Sequence, residues 1–224
     1  MSKLSHWLRQ QKKSVRRLGY SLRQADYPDE CAVERANAVT LEFVRQTGAR
    51  CIAEVGIYEG YTSVGLARHL KGQGELHLFD FEERVTKVAA QLRAQGFANV
   101  VPHGNTHKTF DSYNWSLMQL LQQRSAPMFD YVYLDGAHTW PLDALAFFLI
   151  DRLLKVGGYL DFDDYEWSLE KSPTMKPEVF PATKRQFTPE QIRERHVRLI
   201  IEILVRRDAR YAEVVPDKIF RKLA

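Results

Sequence analysis

From residue 51 to residue 162, short apolar runs alternate with segments of helical spacing, and this rhythm limits the folds open to the chain. The apolar runs fall at 51–55, Leu76–Phe79, Val100–Pro102, Tyr131–Leu134 and Tyr159–Phe162. Helical patterns lie between them at 61–70, 82–95, about 115–123 and 141–154. Such alternation predicts a parallel sheet covered by helices on both faces.

The flanks complete the expected architecture. Residues 31–47 carry Ala32, Val33, Ala36, Val39, Phe43 and Val44 on one helical side, with Gly48 as the C-cap. Residues 165–189 hold Pro173, Pro177, Pro181 and Pro189 and read as a long loop. Thr188-Pro189-Glu190-Gln191 is a capping-box start for a helix running to about Arg207. Tyr211–Val215 and Lys218–Leu223, joined by Pro216-Asp217, read as a terminal antiparallel hairpin. The expected fold is therefore α/β: a Rossmann-like, doubly wound, mostly parallel sheet of about seven strands ending in a β-hairpin. Residues 1–30 are expected to form a helical extension and residues 31–224 the folded domain.

Charge separates those two parts. Residues 1–25 hold Lys3, Arg9, Lys12, Lys13, Arg16, Arg17 and Arg23 with no acid, so they carry +7 of a net +4 and leave −3 on residues 26–224. This argues against a broad nucleic-acid-binding face on the main body. Over 3–23, Leu4, Leu8, Val15, Leu18 and Leu22 line one side of a basic helix. Its readings are a peripheral membrane or partner contact, or packing on its own domain or on a second subunit as a homodimer. No apolar run approaches the roughly 20 residues of a membrane span, and no secretory leader is evident. Cys31 and Cys51 show no disulfide framework or metal-ligand spacing, so a reducing cytoplasm is the expected location.

Function is most visible at 53–63. There a buried strand turns into a helix through Glu54-Val55-Gly56-Ile57-Tyr58-Glu59-Gly60-Tyr61-Thr62-Ser63. Glycines at such a turn let a ligand approach the backbone, and the new helix offers unpaired N–H groups. The turn lacks the Gly-Lys-Ser/Thr of a P-loop and the Gly-x-Gly-x-x-Gly of a dinucleotide site. Polar residues also close the other strands: Asp80, Gly104-Asn105, Asp135-Gly136-Ala137-His138, and Asp163-Asp164-Tyr165. Ligands of open α/β sheets bind beyond these strand ends. One acid after a strand is usually a turn residue, but five strand ends converging on one edge form a site.

At these residues, over about 35–165, the chain resembles class I S-adenosylmethionine-dependent methyltransferases. Within them it resembles the metal-dependent catechol-type O-methyltransferases, whose cofactor loop is similar to Glu54 through Thr62. The resemblance implies that Glu54, Gly56, Tyr58, Gly60 and Ser63 contact the methionine part of the cofactor. It gives Asp80 the ribose, and puts Phe81 and Asn105 near the adenine. It also implies a divalent cation, Mg²⁺ in the first instance, on Asp135, Asp163 and Asp164. The alternative for these acids is that Asp135 orients the cofactor amine while Asp163 and Asp164 cap the next loop.

His138 stands where the catechol-type enzymes carry a lysine base. It reads as a general base or as a loop histidine that only contacts substrate. Asp135-Gly136-Ala137-His138-Thr139-Trp140 also looks like methyltransferases acting on hydroxyls of sugars and natural products. The expected acceptor is thus a hydroxyl on a small molecule or saccharide. Trp140, Tyr165 and Trp167 are candidates for its pocket, against ordinary burial as the alternative. Lys171, Lys176, Lys184 and Arg185 give the loop at 168–187 a basic character suited to a lid. Two other classes stay open at this point: a nucleic-acid methyltransferase and a non-catalytic cofactor-binding or partner-docking protein.

Overall fold

The computed structural model describes residues 36–224. The basic helix expected over 3–23 lies outside the described residues. Residues 31–35 of the helix expected over 31–47 also lie outside the described residues; within them, helix α1 (Ala38–Thr47) is capped by Asn37, which is extended and whose side chain accepts from the Thr40 N–H at 3.1 Å. An N-cap of this kind satisfies one of the donors that a helix start leaves unpaired.

Then follow β1 (Cys51–Val55), α2 (Tyr61–Leu70), β2 (Glu75–Phe81), α3 (Glu82–Ala94), β3 (Val100–Asn105), α4 (Tyr113–Gln123), β4 (Phe129–Leu134), α5 (Trp140–Leu153) and β5 (Leu154–Phe162). The expected alternation is present, with strands reaching further than their apolar centres. β5 begins five residues before the predicted Tyr159, as its pairing with β4 jumps from Phe129↔Leu154 to Tyr131↔Tyr159. The extra residues bulge at Gly157, whose φ of 85° a residue with a Cβ adopts at a cost.

The sheet order is β3-β2-β1-β4-β5-β7-β6. The first five strands are parallel. β7 (Ile219–Lys222) pairs antiparallel with β5 and with β6 (Tyr211–Val215), so the terminal hairpin closes one edge as expected. Two apolar clusters bury the faces. Leu117, Phe147, Ile150, Ile200 and Phe220 belong to one; Val44, Leu66, Leu70, Val88 and Leu92 belong to the other. Burying each such side chain contributes about 1.5–3 kcal/mol before conformational entropy is counted.

The segment after Thr188 departs from expectation. Instead of one helix to Arg207 it forms α6 (Pro189–Arg193), a break with Glu194 extended, α7 (His196–Ile200) and a π-helical turn over Ile201–Val205. The capping box is present, but the break turns His196 inward. There its Nδ1 accepts from the Trp140 N–H at 2.8 Å and its Nε2 donates to the Gln191 carbonyl at 2.6 Å. Two satisfied ring nitrogens offset the interrupted backbone ladder. The Pro-rich loop is packed down as well: Leu169 and Thr183 are fully buried, and Glu170 N donates to the Ile192 carbonyl.

Candidate active site

The carboxyl ends of the parallel strands open into a cavity of about 510 Å³. Its walls bring together Gly56 and Tyr58 from the first turn, Asp80 and Phe81 from β2, Asn105 from β3, Asp135 and His138 after β4, and Asp163 and Asp164 after β5. Glu54 near the end of β1, Gly60 at the N-cap of α2 and Ser63 in the first turn of α2 do not line the cavity wall.

The turn is held by backbone geometry. Gly56 has φ 84°, and a Cβ there would collide with the Asp135 carbonyl, so this turn and the β4 end touch through a position that only glycine can fill. The Ile57 and Tyr58 N–H groups donate to Asp80 Oδ2 at 2.9 and 3.1 Å, and Phe81 N donates to Oδ1 at 2.7 Å. Arg84 reaches the same carboxylate at 3.2 and 3.3 Å, and its guanidinium lies over the Tyr58 and Phe81 rings. Asp80 ends the strand and Arg84 sits in the first turn of α3, so the pair spans a strand-to-helix junction that helical spacing alone does not reveal. Below the turn, Glu54 is 2% exposed and accepts from Ser63 Oγ at 2.5 Å. Burial, reinforced by the nearby Asp80 charge and partly countered by Ser63, pushes the Glu54 carboxyl up to about 8.

The opposite wall is a crowd of carboxylates around one histidine. His138 Nε2 is 3.5 Å from Asp135 Oδ1 and 3.5 Å from Asp164 Oδ2. Tyr133 OH donates to Asp135 Oδ2 at 3.2 Å. Burial and repulsion from Asp163, Asp164 and Glu54 hold the Asp135 carboxyl well above the usual range. Burial raises Asp164 too, against the pull of His138. Asp163 is drawn aside: Asn37 Nδ2 donates to its Oδ1 at 2.9 Å, and Lys218 Nζ stands 3.6 Å away. Asn37 Nδ2 also donates to the Tyr133 hydroxyl at 3.1 Å. The donor atoms that converge within 4.8 Å are therefore those of Asp135, His138 and Asp164. Crowded carboxylates that repel one another, with imidazole beside them, are a donor set that fits a divalent cation.

His138 and Asp164 have left-handed backbones (φ 53° and 58°), as does Tyr58 (φ 47°). Such conformations cost on the order of 1 kcal/mol or more and recur at functional sites. Asn37, Tyr133 and Lys218 escaped the sequence reading. The cap pattern Asn37-x-x-Thr40 was visible, but not partners 96 and 126 residues away.

The aromatic candidates separate. The Trp167 ring lies 5.3 Å from the His138 ring. Tyr165 turns toward the C-terminal helix, where its hydroxyl donates to Glu202 at 3.0 Å. Trp140 is exposed at the start of α5. None of Lys171, Lys176, Lys184 and Arg185 lines the cavity.

A family model described as a methyltransferase domain matches residues 53–165, about half of the chain and nearly all of the parallel sheet. The chain belongs to this methyltransferase family. Among solved structures it is similar to an O-methyltransferase from Bacillus cereus in complex with S-adenosylhomocysteine, at 16% identity and TM-score 0.60, covering 92% of this chain and 91% of that one. The O-methyltransferase TomG from Streptomyces achromogenes, involved in tomaymycin synthesis and solved with S-adenosylmethionine, aligns at 18% identity over 91% of this chain and 86% of its own, with TM-score 0.54. The S-adenosylhomocysteine-bound methyltransferase PaMTH1 from Podospora anserina aligns at 13% identity over 94% and 87%, with TM-score 0.56. No curated protein sequence matches. At these identities the likeness concerns the fold, which is that of class I S-adenosylmethionine-dependent methyltransferases. Among the described residues, no helix of this methyltransferase is long and apolar enough to cross a membrane.

Proposed function

We propose that this methyltransferase moves a methyl group from S-adenosylmethionine to a hydroxyl of a small molecule or saccharide, with help from a divalent cation. The observation that carries the reading is one cavity shared by the glycine turn and by His138 with Asp135 and Asp164. Bound S-adenosylmethionine supplies the methyl group on a sulfonium, an electrophile whose displacement depends on alignment.

In this reading Gly56 and Gly60 give the turn its shape, and Glu54 and Asp135 face the methionine part, whose positive charge favours the ionised form of both carboxyls against the burial that raises them. Ser63 keeps the Glu54 side chain in place. Asp80 accepts the ribose hydroxyls, in place of the long Arg84 contacts; a carboxylate has lone pairs for both these and its backbone donors. Phe81 and Asn105 flank the adenine, and Tyr58 covers the turn from the solvent side.

Asp135 and Asp164 hold the cation, which supplies charge that lowers the pKa of an acceptor hydroxyl. Asp163 adds charge to this wall while Oδ1 stays with Asn37 and Lys218. His138 takes the hydroxyl proton on Nε2, a role that contributes about 10²–10⁴-fold where geometry allows it. Trp167, packed on His138, offers a flat face to a ring or sugar. A second assignment has its own support: the convergence of three donor atoms makes His138 a ligand instead, and an imidazole ligand favours Mn²⁺ or a later metal over Mg²⁺. His138→Gln separates the two. As base, its loss lowers turnover and leaves cation affinity unchanged; as ligand, its loss weakens cation binding.

The founding test is calorimetric titration of S-adenosylmethionine and S-adenosylhomocysteine into the protein, with Mg²⁺ and with chelator, followed by turnover with hydroxylated acceptors. Micromolar binding is expected. Failure of both to bind under either condition removes the proposal.

A further inference from the structure

At the opposite end of the strands, donors of a different kind converge. Cys51 of β1 stands in register with Glu75 of β2, and His77 follows two residues along on the same face. Cys51 Sγ, a Glu75 carboxylate oxygen and a His77 ring nitrogen lie within 4.8 Å of one another. His77 Nε2 is 3.1 Å from Glu75 Oε2. On its far side, His77 Nδ1 lies 2.8 Å from His103 Nε2. The His103 ring is stacked in turn on Phe79, with centroids 4.3 Å apart. His77 is 2% exposed, Cys51 is half-buried and Glu75 reaches solvent.

We propose that Cys51, Glu75 and His77 form a second cation site, selective for a thiophilic divalent ion of the Zn²⁺ class, with His103 as a positioning residue. Thiolate, imidazole and carboxylate are the three ligand types that zinc takes, and solvent at the open side provides the fourth position. The two-histidine relay is the arrangement that steers a ligating imidazole: Nδ1–H is donated to His103, which leaves the Nε2 lone pair for the ion. Tetrahedral zinc ligands sit roughly 3.3–3.8 Å apart for bonds of about 2.0–2.3 Å. The Glu75 and His77 atoms already lie close to that spacing, and the cluster as a whole has to close by no more than about 1 Å, for which Glu75, the exposed member, has side-chain freedom. The Cys51 thiol is held protonated by burial, with Glu75 and Asp130 adding to the shift. Uptake of the ion breaks the S–H bond, forms an S–metal bond and releases the proton to solvent. This site is independent of the methyl-transfer reading, since no member lines the cavity.

Co²⁺ is the probe, added to the full chain. One equivalent is expected to give thiolate-to-cobalt charge-transfer absorption in the near ultraviolet, together with the visible bands of a tetrahedral ion, both removed by Zn²⁺. Co²⁺ on the carboxylates and imidazole of the catalytic cavity gives no thiolate band. Cys51→Ser should abolish the band, and Cys31→Ser, which alters the chain's other cysteine, should keep it. His103→Phe should keep the band with affinity weakened about 10–100-fold. No band at excess Co²⁺, or a band that survives Cys51→Ser, overturns the proposal. Should Cys51→Ser fail to fold, Glu75→Ala at the exposed position decides: affinity at least about tenfold weaker supports the site, and unchanged affinity overturns it.

Discussion

The two walls of the candidate cavity are assembled in different ways. The wall with the glycine turn comes from one stretch of chain, Glu54 to Arg84, which folds as a single β-α-β unit. Its key contacts are local: Glu54 with Ser63, the turn amides with Asp80, Asp80 with Arg84. The acid wall draws on a helix cap at Asn37, on Tyr133 to His138, on Asp163 and Asp164, and on Lys218 beside the terminal hairpin. One wall is specified by a motif and the other by topology. Under the proposed function, changes at the acid wall should therefore alter chemistry without disturbing cofactor binding at the glycine-turn wall, and the reverse.

The largest expected effect is at Asp164. Asp164→Asn suits the left-handed backbone, because asparagine tolerates φ > 0. It removes one charge from the pair that His138 faces. Loss of about 3 kcal/mol of charge stabilisation corresponds to a fall of roughly 10²-fold in turnover. Metal stimulation should disappear, while affinity for S-adenosylhomocysteine stays near wild type. Assays across a Mg²⁺ and Mn²⁺ series decide this. A variant that keeps its metal response shows that the cation is held elsewhere.

Asp80→Ala is the converse probe. Charge-assisted hydrogen bonds are worth about 1.5–3 kcal/mol each, so affinity for the cofactor should fall about 10–100-fold. The metal response at saturating cofactor should persist. Calorimetry reads the first and an initial-rate titration the second. Unchanged affinity would take the ribose role from Asp80. Simultaneous loss of metal response would show that the two walls act as one unit, coupled through Gly56 against the Asp135 carbonyl.

The same division explains what could be read from sequence. The alternation of strands and helices, the terminal hairpin and the cavity-lining acids follow from periodicity and from the rule that ligands bind beyond strand ends. Element ends were less legible: β5 starts early through a bulge at Gly157, and the helix after Thr188 breaks so that His196 can fasten α5. Neither has a local signal, because each is decided by a partner remote in the chain. The acid wall shows the same limit. Asp135, His138, Asp163 and Asp164 were visible as strand-end residues. That Asn37 and Lys218 would engage Asp163, leaving Asp135 and Asp164 to face His138, depends on how α1 and the hairpin meet the sheet.

Asn37 gives the smallest and most selective test of that remote assembly. Its side chain has two tasks, accepting from Thr40 N as a helix cap and donating to Tyr133 and Asp163. Serine can take over the first task but is too short for the second, whereas alanine performs neither. Asn37→Ala should be less stable than Asn37→Ser by about 1 kcal/mol, the usual value of an N-cap. Urea unfolding of the pair measures this difference free of the contacts that both have lost. In both variants Asp163 is left to Lys218 alone, so the cation dependence of turnover should shift by a similar factor, with cofactor affinity unchanged. A metal response equal to wild type in both variants would mean that the helix cap supports the fold only. A shift in alanine but not in serine would instead trace the effect to a displaced α1, because serine holds the cap and lacks the amide that reaches the acids.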